Sequence, residues 1–388
     1  MPNSIEIIGG NAFYNCPSIK EIKIGRKIKE IGTVALGITY DPNKGMKVVD
    51  GFKMYCYKET VAEKYAKDLT INYTLIQNSE PKSTRLAGSN RFLTAVEISK
   101  ASFDKADTVI LAFGLNYADA LAGVPLATKL NAPILLTAKD TLPDVTLAEI
   151  NRLGAKKVII LGGTSAISEK VEKTLKTNKL KTERIAGKTR FGTATAIAEK
   201  LNQKPTDVFF VYGLNYADAL SVGGIAAAKN APIIYLTTKG ELNADTAAYL
   251  AKIKGKVKNA YVIGGDGVIF NAMMKNVATA LGLTSGKTVV RVASKNRYET
   301  CVAVNNKFKS VLSSDGICVA KGLDFPDALA GGVYAAAKKQ ALFLADGKKL
   351  QDVQNSYLKS KNAGKITVFG GTGAVPDSLV KLIAQASV

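Results

Sequence analysis

A ten-residue motif rich in asparagine and aspartate occurs three times in this chain of 388 residues. The copies are GLNYADALAG from Gly114, GLNYADALSV from Gly213 and GLDFPDALAG from Gly322. Each follows an apolar run typical of a strand and opens an apolar run typical of a buried helix. The first polar residue of each copy (Asn116, Asn215, Asp324) is predicted to be a helix N-cap. The aspartate three residues later (Asp119, Asp218, Asp327) suits the positive end of the helix. The two asparagines could also hydrogen-bond sugar hydroxyls, although capping is the simpler role.

Two arginines precede each copy of this motif at a constant spacing. The first arginine is the first residue of the sequence RLAG, RIAG or RVAS, and the second arginine follows six residues later. They are Arg85 and Arg91, Arg184 and Arg190, and Arg291 and Arg297. A guanidinium group can bind a phosphate through two parallel hydrogen bonds, which suits a phosphorylated glycan. Internal ion pairs with the three aspartates of the motif are an equally good interpretation of the same arginines.

Histidine is absent from the sequence. This excludes histidine-dependent general bases, catalytic triads and zinc sites, so no catalytic residue, metal or cofactor is predicted. The four cysteines (Cys16, Cys56, Cys301, Cys318) lack CxxC spacing and are predicted to be small buried apolar residues. Gly-Gly pairs follow the runs KVIIL, AYVI and ITVF without a GxGxxG pattern or a Walker lysine. We interpret them as tight strand-to-helix turns rather than nucleotide sites.

The chain is strongly basic, with 53 lysines and arginines, 32 acidic residues and a net charge of +21. Residues 1–80 carry only +2 of this charge, which leaves +19 on the repeated region. A region with this charge is expected to have a polyanionic partner, for example nucleic acid, anionic lipid or an acidic wall polymer. A solvated surface without a partner is the alternative. No apolar run reaches the ~18 residues of a membrane helix and no export signal is recognisable, so the chain is expected to be cytosolic or a mature chain or fragment.

An apolar pattern that repeats about every hundred residues predicts the helices and strands that position these residues. The aspartates of successive motifs are 99 and 109 residues apart. In the first unit we predict strands at RLAG, 108–113, PILLT and KVIIL, with helices over 90–101, 117–130, 143–153 and 166–176. Strands that alternate with helices predict an α/β fold with a doubly wound parallel sheet. Ligands of such sheets gather at the carboxyl ends of the strands.

Residues 1–75 have a different pattern. Ile5, Ile8 and Gly9 recur 23 residues later, a period within the range of leucine-rich repeats. The stretch from Pro2 resembles the BspA-type leucine-rich repeat of bacterial surface proteins and begins in mid-pattern, so further repeats are expected upstream. A strand, helix and strand before residue 75 are predicted to close it, and residues 76–84 are predicted to be a linker. An unrelated small α/β element is the alternative.

The threefold order of the motifs resembles the cell-wall-binding type 2 repeat of Gram-positive surface-layer and cell-wall proteins. The repeats would span 85–183, 184–290 and 291–388. The resemblance implies three Rossmann-like modules in a pseudo-threefold arrangement and a non-enzymatic, noncovalent anchor to an anionic, teichoic-acid-like polymer. It also links an Ile-Leu-Leu motif to anchoring, present here as Ile134, Leu135 and Leu136, altered to Ile233, Ile234 and Leu236, and reduced to Leu342, Phe343 and Leu344. Physically this motif is first a core strand, whose truncation should cost about 2–5 kcal/mol per side chain.

The favoured function is therefore a secreted protein of the cell wall or surface layer that displays a leucine-rich adhesion domain. Its expected partner is an anionic wall polysaccharide, and surface-layer proteins or host ligands are candidate partners of the leucine-rich segment. One alternative is the non-catalytic targeting part of a peptidoglycan amidase. Nucleic-acid binding is the other, but the chain lacks tryptophan and aromatic residues interleaved with basic ones. Neither nucleic-acid binding nor membrane insertion is predicted.

Overall fold

The computed structural model describes residues 1, 5–76, 81–238, 241–283, 289–313, 315–361 and 363–387. The chain divides into two compact units, Met1–Ser79 and Glu80–Val388. Across the described residues, the helices are all too short or too polar to cross a lipid bilayer.

Short strands and a helix form the first unit. They are β1 (Ile7–Ile8), β2 (Glu21–Lys23), β3 (Glu30–Ile31), β4 (Ile38–Asp41), β5 (Gly45–Val48), β6 (Lys53–Cys56), α1 (Val61–Asp68) and β7 (Asn72–Leu75). β1 and β3 pair in parallel with Ile7 opposite Glu30, the register that the 23-residue period sets. β2, β6 and β7 form a parallel sheet, and β4 and β5 form an antiparallel hairpin. The predicted strand–helix–strand segment is thus present as β6, α1 and β7.

The beginning of the predicted leucine-rich pattern, from Pro2 to Ser4, lies outside the described residues. So do Gln77–Glu80 within the predicted linker. The predicted end of the linker at residue 84 is wrong, because Lys82 to Thr84 belong to a strand of the second unit. Membership of the leucine-rich family remains a prediction.

Three α/β modules form the second unit. The first contains α2 (Arg91–Ser102), β9 (Thr108–Phe113), α3 (Gly123–Lys129), β10 (Ile134–Thr137), α4 (Asp144–Arg152), β11 (Lys157–Leu161) and α5 (Glu169–Thr177). The second contains α6 (Arg190–Leu201), β13 (Asp207–Tyr212), α7 (Ala217–Ala228), β14 (Ile233–Leu236), α8 (Ala244–Ile253), β15 (Asn259–Ile263) and α9 (Asn271–Leu281). The third contains α10 (Arg297–Lys307), β17 (Gly316–Lys321), α11 (Pro326–Ala337), β18 (Ala341–Ala345), α12 (Asp352–Lys361), β19 (Lys365–Phe369) and α13 (Asp377–Ala386).

The strands that carry Arg85, Arg184 and Arg291 join the modules to one another. They are β8 (Lys82–Leu86), β12 (Lys181–Ile185) and β16 (Val289–Val292). The parallel sheets have the orders β10-β9-β11-β12, β14-β13-β15-β16 and β18-β17-β19-β8. Each sheet therefore takes its fourth strand from the beginning of the next repeat, and β8 completes the sheet of the third module. The prediction that the RLAG strand belongs to its own module's sheet is wrong.

Strand exchange closes the three modules into a pseudo-threefold ring, as the fold prediction expected. At its centre α3, α7 and α11 pack against one another. Small residues allow this close approach, since a Cβ atom added to Gly332 would lie 3.1 Å from the side chain of Val124 in the first module. These three helices therefore pack against one another as well as against their own sheets.

Most predicted elements lie within three residues of the observed ones. The exception is the helix predicted over 117–130, which begins only at Gly123, after a series of turns. Pro125 explains the difference, because a proline deep inside a helix removes a hydrogen bond and clashes with the preceding turn. The second and third modules lack an internal proline here, and their helices begin at Ala217 and Pro326.

Candidate binding edges and the threefold axis

The carboxyl ends of the strands form an edge in each module, completed by the turn that opens the next repeat. We call these the first, second and third edges, in chain order. The second edge holds a cleft of about 420 Å³ between modules two and three. Its lining includes Asn215, Asp218 and Asp266 from one module and Lys295 and Arg297 from the next. The first edge holds a smaller cavity of about 190 Å³ that Asn116, Asp119 and Ser165 line.

Each aspartate of the repeated motif packs against the first glycine of a Gly-Gly turn. Gly162, Gly264 and Gly370 have φ values of +105°, +119° and +98°. A Cβ atom at Gly162 would lie 2.7 Å from a carboxylate oxygen of Asp119, and one at Gly264 would lie 2.6 Å from Asp218. Both the backbone conformation and this contact require glycine. The interpretation of the Gly-Gly pairs as tight turns is confirmed.

Two of the three aspartates have strongly perturbed acidities. Burial raises the pKa of Asp218 to about 6, although the nearby Arg297 charge opposes the rise. Burial likewise raises the pKa of Asp327 to about 6, with Asp324 adding to the effect and Arg91 opposing it. Near neutral pH such a carboxyl group exists in both protonation states, so it can accept or donate a hydrogen bond to a ligand hydroxyl.

The N-cap prediction is wrong in position. The residues that directly precede the helices are Ala122, Tyr216 and Phe325. Asn116 instead closes a local turn, where its Oδ1 accepts a hydrogen bond from the Ala118 N–H at 3.0 Å, and Asn215 does the same with Ala217 at 3.2 Å. Within the described part of the chain neither side-chain amide donates a hydrogen bond to the protein, which leaves both N–H groups for a ligand.

The first arginine of each pair is used by the fold. Arg85, Arg184 and Arg291 donate hydrogen bonds to the carbonyl oxygens of Gly370, Gly162 and Gly264 at 2.7, 2.9 and 2.6 Å. Each arginine therefore holds the Gly-Gly turn of the module whose sheet its own strand completes. Further partners are Asp377 for Arg85, Glu172 for Arg184 and Asn271 for Arg291. The fold therefore uses all three arginines, and their contact with a polymer remains a prediction.

The second arginine of each pair links two modules. Arg91, Arg190 and Arg297 donate to the carbonyl oxygens of Gly114, Gly213 and Gly322 at 2.7, 3.0 and 2.8 Å. Across the module boundary, Arg190 lies 5.7 Å from the ring centre of Tyr117, and Arg297 lies 5.5 Å from that of Tyr216. Arg91 instead approaches Asp324, at 3.7 Å. Among the residues that the structure describes, none of the six arginines forms an ion pair with Asp119, Asp218 or Asp327, so the ion-pair interpretation is wrong there.

Sequence reasoning missed the lysines beside these arginines. Lys188 and Lys295 occupy the same position in the second and third repeats, where the first repeat has Ser89. Both lysines are exposed, and neither has a hydrogen-bond or ion-pair partner among the residues that the structure describes. Their constant place four residues after β-strand arginines was the available signal. A free ammonium group beside a cleft can bind a phosphate as a point charge.

Sequence reasoning also missed an aromatic cluster on the threefold axis. The rings of Tyr117, Tyr216 and Phe325, one from each module, have centroids 5.3 to 6.3 Å apart. The hydroxyl of Tyr117 donates to the carbonyl oxygen of Leu214 in the second module at 2.7 Å. The signal was an aromatic residue at the same place in all three motifs.

The Ile-Leu-Leu motif and its two variants are buried in β10, β14 and β18, where no residue is more than 4% exposed. They cannot touch a polymer while the protein is folded. The inserted Tyr235 has a structural use, because its hydroxyl accepts a hydrogen bond from the Ala122 N–H of the first module at 3.1 Å. An effect of this motif on anchoring would therefore act through the fold.

The family model Cell wall binding domain 2 matches three segments of the chain, residues 85–172, 184–274 and 291–380. N-acetylmuramoyl-L-alanine amidase LytC of Bacillus subtilis is 35% identical over 75% of this chain and 56% of its own. The amidase enhancer of the same organism is 27% identical over 81% of this chain and 42% of its own.

Two solved structures from Clostridium difficile share the fold. Cwp8 superposes with a TM-score of 0.71 and 32% identity over 84% of this chain and 54% of its own. Cwp6 superposes with a TM-score of 0.73 and 27% identity over 81% and 49%. The chain thus spans about half the length of the proteins it resembles. With three matched segments that coincide with the three modules, the chain belongs to the Cell wall binding domain 2 family.

Proposed function

We propose that the protein is held noncovalently at the cell wall by an anionic, teichoic-acid-like polymer that binds along the edges of the ring. The observation that carries this proposal is the second edge. There a free Lys295 lies beside Asn215 and Asp218 in one cleft that two modules share. Cations suit the phosphates of such a polymer, while amides and carboxyls suit its hydroxyl groups.

The charge distribution supports the same proposal. The repeated region carries +19 of the net charge of +21, and exposed lysines at the edges are not neutralised by described neighbours. A polyanion is attracted to such a surface and repelled by an acidic one. Repetition of the edge around one ring would let several polymer units bind together, which raises the overall affinity without a new contact.

A non-catalytic role is part of the proposal. The chain has no histidine, and the segment that matches a family model matches a binding domain. The resemblance to LytC favours a second candidate, the wall-targeting part of an amidase. Peptidoglycan hydrolysis by the purified chain tests the non-catalytic role, since we expect no release of muramyl peptides above that of a buffer control.

Residues 1–75 are proposed to be displayed as an interaction domain. The hairpin of β4 and β5 carries Tyr40 and Met46 directly opposite each other. Both side chains are exposed, by 58% and 65%, so they form a small apolar surface on a unit that is otherwise nearly neutral. Exposed paired apolar residues of this kind suit contact with a protein or host ligand.

The test is co-sedimentation of the full chain with purified wall sacculi, before and after chemical removal of the anionic polymer, across a salt series. Exposed charges are screened beyond ~10 Å at 0.1 M salt, so bound protein should fall as salt rises. Removal of the polymer should abolish binding. Binding that survives polymer removal, or that is indifferent to salt, would contradict the proposal.

A further inference from the structure

A cavity lies between α6 and α8 of the second module, away from the three edges. It has a volume of about 230 Å³ and is lined by Glu199, Gln203, Tyr249, Lys252, Ile253 and Lys256. The end of α8 lies beside the amino ends of the strands, because the Lys258 N–H shortly after it donates to the carbonyl oxygen of Thr206, directly before β13, at 2.8 Å. The cavity is therefore at the opposite end of the sheet from the candidate binding edge.

Tyr249 lines this cavity with a hydroxyl group that the protein leaves unpaired. The residue is only 2% exposed, and its hydroxyl has no hydrogen-bond partner among the residues that the structure describes. Burial raises the pKa of this phenol, and the charge of Glu199, which lines the same cavity, adds to the rise. The hydroxyl therefore keeps its proton at neutral pH and remains a donor. A buried donor without an acceptor is unfavourable, so packing alone does not explain a tyrosine here.

The corresponding place in the first module is satisfied by the protein itself. Glu149 of α4 takes the position of Tyr249, as the alignment of the two helices shows. Its carboxylate accepts a hydrogen bond from Ser99 Oγ at 2.5 Å and two from the Arg152 guanidinium at 2.7 and 2.8 Å. The unpaired hydroxyl of the second module is therefore not a requirement of the repeated fold.

The second module replaces these partners with a lining that favours an anion. Ala198 takes the place of the serine, and Lys252 takes that of the arginine but pairs with Glu199 at 2.6 Å. Lys256 donates one hydrogen bond to the Lys252 carbonyl oxygen at 2.8 Å, which leaves two of its three N–H groups without a described protein acceptor. Two ammonium groups and one carboxylate give the lining a net charge of +1.

We propose that this cavity binds a small monocarboxylate whose apolar part lies against Ile253 and the ring of Tyr249. The ligand carboxylate accepts hydrogen bonds from the Tyr249 hydroxyl and from the Lys256 ammonium group. A cavity of about 150 Å³ holds benzene, so the volume of about 230 Å³ has room for a carboxylic acid with a six-membered ring. This site goes beyond the proposed function, because it lies at the other end of the sheet and does not require the wall polymer.

The lining distinguishes this ligand class from others of similar size. A phosphate group is ordinarily bound by several cations or backbone N–H groups. Beyond the Glu199–Lys252 pair, however, this lining offers one ammonium group, one phenol and one amide. Its net charge of +1 disfavours a cation, and the buried Ile253 and Tyr249 ring form an apolar wall that a sugar would not use. A single negative charge on an apolar body matches both parts of the lining.

The experiment uses the full chain with labelled isoleucine methyl groups, and benzoate is the probe in an NMR titration. The methyl signals of Ile253 should shift, whereas those of Ile150 and Ile366, buried in the first and third modules, should not. Tyr249→Phe removes only the hydroxyl and should lower the affinity for benzoate by about tenfold or more, because a hydrogen bond to a charged group is lost. The matched control Tyr357→Phe makes the same change at the corresponding position of α12 and should bind benzoate normally.

Two further probes and a second variant test the ligand class. Benzyl alcohol, which keeps the ring without the charge, should bind about tenfold more weakly than benzoate, and inorganic phosphate should not displace benzoate. Lys256→Gln, at an exposed position, should weaken benzoate binding and leave that of benzyl alcohol unchanged. Without a ligand, Tyr249→Phe should melt no lower than the unmodified chain, since it removes an unpaired buried donor. Benzoate should raise the melting temperature of the unmodified chain more than that of Tyr249→Phe.

Several outcomes would overturn the inference. The first is an Ile253 signal that does not respond to benzoate, which would mean that water alone fills the cavity. The second is a Tyr249→Phe variant that binds benzoate as tightly as the unmodified chain. Displacement of benzoate by phosphate, or equal affinity for benzoate and benzyl alcohol, would assign the cavity to another class of ligand. Tyr249→Phe should bind wall sacculi like the unmodified chain, so failure of this inference and failure of the proposed function are distinguishable.

Discussion

The first and third edges are formed by equivalent turns of the repeats but differ in charge. The first edge combines Asn116 and Asp119 with Lys188 and Arg190 from the following repeat. At the same positions the third edge has Asp324, Asp327, Ser89 and Arg91. Formal charge at these four positions is thus +1 at the first edge and −1 at the third. The third edge also uses its arginine internally, because Arg91 lies 3.7 Å from Asp324.

Backbone symmetry therefore does not imply equal binding at the three edges. The ring closes through the same strand exchange at all three edges, so equivalent strands and turns form each edge. The buried Ile-Leu-Leu variants cannot distinguish the edges, since they lie in the core of every module. The charged residues can, and they favour a polyanion at the first edge over the third.

The largest effect is expected when a module is isolated. Residues 83–180 lack β12, which completes their sheet, and their β8 has lost its partner β19. The lone module should therefore self-associate through its open strand edge and apolar helices and should lose wall binding, whereas residues 80–388 should be a compact monomer. Sedimentation velocity and wall co-sedimentation check both. A monomeric lone module that binds wall sacculi as tightly as the ring would contradict the proposal that two modules together form each binding edge.

The next effect concerns the lysines that distinguish the edges. Lys188→Ser/Lys295→Ser gives the first and second edges the serine of the third. Each charge-assisted contact contributes roughly 1.5 kcal/mol or more, so we expect affinity for wall sacculi to fall by about tenfold per lysine. The matched control is Lys275→Ser/Lys381→Ser, which removes exposed lysines of α9 and α13. Equal losses in both variants would mean that only net charge matters.

A smaller effect of opposite sign is expected at the third edge. Asp324→Asn gives this edge the side chain of the other two and frees Arg91 from its acidic neighbour. Affinity for the polymer should rise several-fold, and more when Ser89→Lys is added. Asp107→Asn, which removes an exposed aspartate at the opposite end of the strands, should leave binding unchanged. A gain in that control, or none at Asp324, would show that the third edge is not limited by its charge.

Protonation of the edges gives a still smaller effect. Burial raises the pKa of Asp218 and of Asp327 from 3.8 to about 6. The folded chain therefore binds these two protons more tightly than the unfolded chain, and their contribution to stability grows as pH falls from about 7 to about 4. Between pH 7 and pH 5 we expect the melting temperature to rise modestly in the unmodified chain relative to Asp218→Asn/Asp327→Asn. Polymer affinity at constant salt should rise over the same range as the carboxylates are neutralised. The opposite trend, or identical pH profiles in both proteins, would argue against a raised pKa of these two carboxyl groups.

The smallest effect is expected from removal of the first unit. The unit up to Ser79 is nearly neutral and is compact by itself. A chain that begins at Glu80 should bind wall sacculi within about twofold of the full chain, because the edges carry the charge. A chain that begins at Ser83 would instead cut into β8 and open the ring. Large loss of binding in the chain from Glu80 would assign part of the anchoring to the first unit.

Much of the local structure follows from the sequence. Strand β9 has the predicted bounds, Thr108–Phe113, and helix α2 is displaced by one residue from the prediction. The delayed start of α3 follows from Pro125, a signal that the apolar pattern alone obscured. The arginines were found by their spacing, but their partners were not, because backbone carbonyl oxygens have no sequence signature.

Three related α/β modules, their basic character and the absence of histidine chemistry could be predicted from the sequence, because composition and apolar periodicity are local properties. The pairing of β8 with β19, more than 270 residues away, is visible only in the folded chain, and so is the hydrogen bond by which Arg85 holds a turn of the third module. Parallel strands have no turn that sets their partner, so any of several apolar strands could in principle occupy an edge. The choice is made when closure of the ring buries the central helices together and brings residues of two modules to one edge.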